Sequence, residues 1–206
     1  MAPDLDALDD GGKLVAAVAA ILLMGGVAAL PTEGVYGIHA LANDEGAVGR
    51  LRGLKGSSRT GFIGLLAEPD ELWHWGSPEP KAVELARRYW PGALTLVVPA
   101  HPSIPASLRA EDGTVALRCP GSAFLRAVVK EAKGIVLSTS ANLPGQPPAI
   151  RAEDIPPKTA DITVDAGPLS GIPSTLVRVQ NGTVEVLRKG AVTLGDAALD
   201  DPSEAP

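Results

Sequence analysis

Hydrophobic positions in this chain follow two rhythms: helical stripes with three- and four-residue spacing, and short apolar runs closed by turn residues. The Ala/Leu-rich stretch at 13–24 favours a helix, and Gly25-Gly26 stops it before an apolar run at 27–30 that ends at Pro31. Asn43-Asp44 offers a cap for a helix over 45–54, where Val48 and Leu51 share a face. Another apolar run spans 62–67. Pro78 and Pro80 open a helix running through Arg88, since proline is tolerated in a first turn. Runs at 94–98, 115–117 and 135–137 predict strands, and between the last two Phe124, Leu125, Val128 and Val129 form a helical stripe. The stretch 143–157 is proline-rich and reads as a loop. Strands follow near 161–164, 175–179 and 184–187, the last two joined by a hairpin turn at Asn181-Gly182. Strands and helices interleave, so the class is α/β or α+β around one mixed sheet. The chain reads as a single domain, with a core over about 12–192 and an acidic tail, 196–206, that frays.

Composition narrows this picture. The chain has 206 residues, long enough for one well-cored domain. Hydrophobic residues make up 45% and aromatics 3%, so the core is built from Ala, Val, Leu and Ile. The formal charge of −6 argues against a protein that grips a nucleic-acid backbone. The 17 apolar residues from Leu14 to Leu30 resemble a signal peptide or a membrane span, but acids (Asp4, Asp6, Asp9, Asp10) precede them and Gly25-Gly26 divides them. Together with a lone Cys119, which has no disulfide or metal partner, they predict a soluble, cytoplasmic chain with no membrane role.

Several familiar chemistries are missing. There is no glycine-rich phosphate loop ending in Lys-Ser/Thr, no nucleophile elbow, and no metal-ligand spacing among His39, His74 and His101. Polar residues instead gather at the ends of apolar runs: Thr32 and Glu33 after Leu30, Arg118 after Leu117, Ser138-Thr139-Ser140 with Asn142 after Leu137, Ser174 before Thr175, and Arg188 after Leu187. Strand ends are where open sheets collect ligand groups. The two arginines supply cationic forks for carboxylate or phosphate, and the hydroxyls orient such a group. Such a site works by positioning and charge neutralisation, as phosphoryl and nucleotidyl transfer require. Each piece also has a plainer reading. Ser138-Thr139-Ser140 also fits a turn, and the arginines also fit surface ion pairs.

The motifs resemble one family in order along the chain. Residues 31–37, PTEGVYG, resemble its P-T-[DE]-T-V-Y-G; 90–95, WPGALT, its W-P-G-P-L-T; and Arg118-Cys119-Pro120 its R-x-P. Residues 138–145, STSANLPG, resemble T-S-A-N-x-S-G, Ser174-Thr175 its S-T strand start, and 187–191, LRKGA, its L-R-P-G-[AP]. The chain thus resembles the YrdC-like threonylcarbamoyl-AMP synthases over about 12–192. The resemblance implies a twisted mixed β-sheet flanked by helices, with a concave, positively lined ligand cleft. It implies that ATP, L-threonine and bicarbonate react to give L-threonylcarbamoyl-AMP and pyrophosphate, with Mg²⁺ riding on the phosphates. A downstream tRNA threonylcarbamoyl transferase would use the product to modify adenosine 37 of tRNA.

Carried over by motif, Thr32, Arg118, Ser174 and the main chain near Ser138 hold threonine, Arg118 taking its carboxylate. Lys55, Thr114, Ser140 and Arg188 face the nucleotide, with Asn142 bracing the loop, so that Lys55, Ser140 and Asn142 form the reacting corner. Tyr36 fits either a cleft wall or a core position. The chain departs from the pattern where Ser57 replaces the arginine of K-x-R-P, Gly61 a further basic residue, and Gly34 a threonine. A lost charged fork is worth about 1.5–3 kcal/mol of anion binding, and Arg59 is the candidate replacement. The alternatives are a YciO-like paralogue without synthase activity, an RNA-binding module, and a relative of the carbamoyl-adenylate-forming domain of hydrogenase-maturation carbamoyltransferases.

Overall fold

The computed structural model describes residues 7, 9, 11–56 and 62–195. Helix α1 (Lys13–Leu23) starts where the Asp9 carboxylate accepts hydrogen bonds from the amides of Leu14 and Val15, 3.0 and 3.2 Å away. These satisfy donors that a helix leaves free in its first turn. It ends at Gly25, whose φ of 78° is the left-handed cap that glycine adopts without strain. Strands β1 (Ala28–Pro31) and β2 (Tyr36–Leu41) follow, then α2 (Glu45–Lys55), capped by Asp44, which accepts from the Ala47 amide at 2.8 Å. Next come β3 (Ile63–Leu65), a short helix α3 (Leu72–Trp75), α4 (Pro80–Tyr89) with proline in its first turn, and β4 (Leu94–Pro99). The rest is β5 (Thr114–Arg118), α5 (Ala123–Glu131) capped by Ser122, β6 (Val136–Ser140), β7 (Ile162–Thr163), β8 (Thr175–Gln180) and β9 (Thr183–Arg188). Asn181 and Gly182, at φ 54° and 76°, make the turn between the last two. Among the described residues no helix is long and apolar enough to cross a membrane. The apolar run at 14–30 is a helix, a glycine stop and a buried strand.

The nine strands form one mixed sheet in the order β7-β1-β2-β6-β3-β5-β4-β8-β9. Three pairs are parallel, β1 with β7, β3 with β5 and β4 with β8. One face carries Ile38, Ala40, Leu96, Leu117 and Leu137 against the buried sides of α2 (Ala47, Val48, Leu51) and α4 (Ala82, Leu85, Ala86). The other carries Ala28, Leu30, Leu41, Leu65 and Val136 against α1 and α5. On that second face the helices cover only part of the sheet, and the uncovered part is the floor of the cleft described below.

Two sequence expectations change. Strand β2 is absent from the periodicity reading because all six of its residues are buried. A strand covered on both faces shows no polar alternation. Strand β6 runs through Ser140, so Ser138-Thr139-Ser140 is strand and not the turn that its composition also allows.

Candidate functional site

The cleft, of about 260 Å³, lies where β1, β5, β6, β8 and β9 present their ends beside α2. Register explains its floor. Gly37 pairs with Ser140, His39 with Ser138, and Ser138 with Ile63, while Leu65 pairs with Arg118. Paired residues point to the same face, so Ser138, Ser140 and Arg118 emerge on the face left open by α1 and α5.

At one end stands Arg118, nearly buried at the last position of β5. Its Nε donates to the Gly92 carbonyl at 3.2 Å and its Nη2 to a carboxylate oxygen of Glu33. The Gly92 carbonyl is placed by the tight 90–94 segment, where the Trp90 indole donates to Leu94 O at 2.7 Å and the Gly92 amide to Cys119 O at 2.9 Å. Burial, and next the charge of Arg188, lower the Arg118 pKa to about 10, which still leaves the guanidinium charged at neutral pH. Neighbouring Cys119 is buried and its thiol is pushed up to about 12 by burial, so it packs as a small apolar side chain.

Arg188, at the end of β9, donates from Nε and Nη2 to the Ser174 carbonyl at 3.2 and 3.0 Å, and from Nη2 to the Ser174 hydroxyl at 3.1 Å. Burial lowers its pKa. The Ser174 hydroxyl in turn meets Thr95 Oγ1 at 2.8 Å, in a fully buried contact. Arg188 therefore belongs to a network with β8 and β4, and is no surface ion pair.

Lys55 is the last residue of α2, and the helix aims it over β6. Its Nζ donates to Ser140 Oγ at 3.2 Å, Asn142 O at 2.8 Å and Asn142 Oδ1 at 2.7 Å. Ser140 Oγ donates to the same Asn142 Oδ1 at 2.5 Å, and Asn142 Nδ2 donates to Gln146 O at 2.6 Å. Asn142 thus ties the lysine, the strand end and the following loop into one corner. Ser138 meets His39 Nε2 at 3.2 Å, and burial lowers the pKa of that ring to about 4, so His39 is neutral at ordinary pH. Thr32 closes a turn by donating from Oγ1 to Val35 O at 2.7 Å.

Eight sequence candidates thus line one cleft: Thr32, Lys55, Arg118, Ser138, Ser140, Asn142, Ser174 and Arg188. Thr114 does not join them. It starts β5, four residues before Arg118, roughly 13 Å along a strand, and its hydroxyl donates to Asp112 at 2.6 Å. Tyr36 is a core residue, fully buried, with its hydroxyl donating to Gly167 O at 2.8 Å and accepting from the Ala166 amide at 2.9 Å. Ser57, Arg59 and Gly61 lie outside the described residues.

Two contributors were missing from the sequence list of candidates. Among the described residues that line the cleft Glu33 is the single carboxylate, against three cations; an acid beside a predicted arginine site was the available signal. Ile172 brings an exposed apolar side chain to the rim and had no signal. The glycine at position 34 has a physical cause. A Cβ there would stand 1.8 Å from the Ile172 carbonyl oxygen, and Gly34 O accepts from the Gly171 amide at 2.8 Å. The 170–172 loop occupies the space a side chain would need.

Among the described residues no group of three His, Cys, Asp or Glu is placed to hold a metal ion. The cleft suits an anionic ligand, with charge and hydroxyl donors held by backbone.

The family model Sua5_yciO_yrdC, described as "Telomere recombination", matches residues 20–190. A threonylcarbamoyl-AMP synthase of Bacillus subtilis is 34% identical over an alignment 220 positions long, gaps included, that covers 98% of this chain; the chain spans 63% of that relative's length. The crystal structure of P. abyssi Sua5 complexed with L-threonine superposes with a TM-score of 0.78 at 30% identity, over 85% of this chain and 54% of that one. E. coli YciO superposes with a TM-score of 0.81 at 25% identity, over 91% and 92% of the two chains.

Proposed function

The chain belongs to the Sua5–YciO–YrdC family, and from that premise we propose that it is an L-threonylcarbamoyladenylate synthase. The observation that carries this reading is the convergence of Arg118, Arg188 and Lys55 on one hydroxyl-lined cleft. Arg118 takes the threonine carboxylate as a charged, preplaced donor. The hydroxyls of Thr32 and Ser174, with the β6 main chain at Ser138, hold the rest of the amino acid. Lys55 and Arg188 face the triphosphate, with Ser140 and Asn142 fixing the lysine. Magnesium would enter with ATP as part of the substrate, since Mg²⁺ is commonly bound through phosphate oxygens together with few protein ligands.

The threonine amine condenses with bicarbonate to a carbamate, losing water. A carbamate oxygen attacks the α-phosphorus, its bond to the bridging oxygen breaks, and pyrophosphate leaves. The protein's part is alignment and neutralisation of charge. The product would pass to a tRNA threonylcarbamoyl transferase, in the cytoplasm.

The test is pyrophosphate release from ATP, with and without L-threonine and bicarbonate, with mass detection of the adenylate. Release that needs both co-substrates supports the synthase. ATP binding without release favours a YciO-like paralogue, the second reading, for which the likeness to E. coli YciO over nearly the whole of both chains and the serine at position 57 speak.

A further inference from the structure

Glu33 has no part in the reading above, yet it makes the most direct contact with the residue on which that reading depends. Its side chain reaches from the turn after β1 into the Arg118 end of the cleft. One carboxylate oxygen accepts from Arg118 Nη2, and the other accepts from the Gly121 amide at 2.6 Å. A carboxylate therefore already sits in a two-donor anion seat made of a guanidinium and a backbone N–H. With Nε given to Gly92 O and one Nη2 proton to Glu33, the Nε–Nη2 edge of Arg118 is fully used. An incoming carboxylate that forks onto Nη1 and Nη2 must approach a guanidinium whose charge the Glu33 carboxylate already neutralises.

The Glu33 side chain is about one quarter exposed, so it has an open path out of the seat. Its backbone does not share that freedom. Thr32 closes the turn onto Val35, and Gly34 is locked against the 170–172 loop. The side chain can swing while its anchor stays put.

We propose that Glu33 is a specificity-determining placeholder: its carboxylate occupies the Arg118–Gly121 seat in the free protein, and a substrate must bring a carboxylate of its own to displace it. This rests on the reading of Arg118 as the amino-acid anchor. The displaced Glu33 keeps its charge and moves to water, so exchange is nearly balanced in charge within the seat. A ligand without a carboxylate leaves Arg118 paired and gains nothing from it. The cost of displacement makes the cleft selective and lowers its affinity for carboxylates.

The experiment compares the intact chain with its Glu33→Gln variant by calorimetric titration with L-threonine, L-threoninol and acetate. Glutamine keeps an acceptor for Gly121 but removes the charge competing for Arg118. The expected result is that L-threonine and acetate bind about tenfold tighter to the variant while L-threoninol is unchanged, in keeping with the strength of a charge-assisted hydrogen bond. Equal or weaker carboxylate binding by the variant overturns the proposal. If both ligands gain but the intact chain and the variant each bind acetate as tightly as L-threonine, the placeholder stands and the threonine reading fails. The wild-type chain gives a second readout that does not depend on the variant folding. The Gly121 amide resonance should shift with L-threonine and stay put with L-threoninol, and the same shift with both ligands, or with neither, counts against displacement.

Discussion

One face of the central sheet is used in two opposite ways. Where α1 and α5 cross it, Ala28, Leu30, Leu41, Leu65 and Val136 meet Val18, Leu22, Leu125 and Val128 in a dry layer. A few residues along the same strands, the face carries Ser138, Ser140 and Arg118, and among the described residues no helix packs across it. Leu65 and Arg118 are paired neighbours, yet one lies in the core and the other in the cleft. The strands are continuous across the boundary, so the backbone hydrogen bonds that build the core also position the site. Rigidity is thereby transferred to the cleft without any covering element of its own.

This contrast can be broken from the open side first. Arg118→Ala should reduce adenylate formation by about a hundredfold or more, consistent with loss of a preorganised charged donor. It should also cost about 1 kcal/mol of stability, because the Gly92 carbonyl loses its donor and the Glu33 carboxylate keeps only the Gly121 amide and water. The double variant Arg118→Ala with Glu33→Gln should recover part of the stability in urea melts and none of the activity. Recovery of both would move Arg118 into the structural class.

On the covered side, Leu22→Ala should cost about 3 kcal/mol by leaving a cavity between α1 and the sheet. The KM for each substrate should change less than twofold below the melting temperature. A large KM change would show that the two regions are not separable.

His39 sits at the boundary, paired with Ser138 on one side and Ala28 on the other. Its folded pKa of about 4 lies below the ordinary histidine value of 6.5. The unfolded chain therefore binds more protons between those values, and stability falls as pH drops from about 6.5 towards 4. The contribution is of order 3 kcal/mol. His39→Gln should flatten the pH dependence of the urea midpoint in that window. An unchanged slope would show that other groups carry it.

The smallest expected effect lies at the start of α2. Asp44→Ala removes the cap on the helix that ends in Lys55 and should cost about 1 kcal/mol. Because Lys55 is held by Ser140 and Asn142 at the far end, kcat should stay within about a factor of two, measurable in the pyrophosphate assay. A larger fall would mean that the cap, eleven residues away, governs the lysine.

Legibility in the sequence followed the range of the forces involved. Asp44, Pro80 and Asn181-Gly182 mark their elements through contacts within a few residues, and the structure places a cap, a first helical turn and a hairpin turn there. Strand β2 was hidden because burial on both faces erases alternation. Thr114 was carried over from the family resemblance, but strand geometry puts it at the opposite end of β5 from Arg118. Glu33 was visible as a residue and opaque as a contact, since its partners Arg118 and Gly121 are 85 and 88 residues away.

The amino-acid order by itself determined most of the helices and strands, though not β2, together with the family motifs and the chemistry of an anion-binding cleft with hydroxyl and cationic groups. Local periodicity, turn propensity and side-chain type are properties of short segments. Only the tertiary structure decided that β6 lies between β2 and β3, that α1 and α5 stop short of Ser138, that Gly34 gives its space to the 170–172 loop, and that Glu33 already fills the Arg118 seat. Each of these depends on which distant strands pair and on what then has room, and pairing and exclusion arise only once the chain is packed.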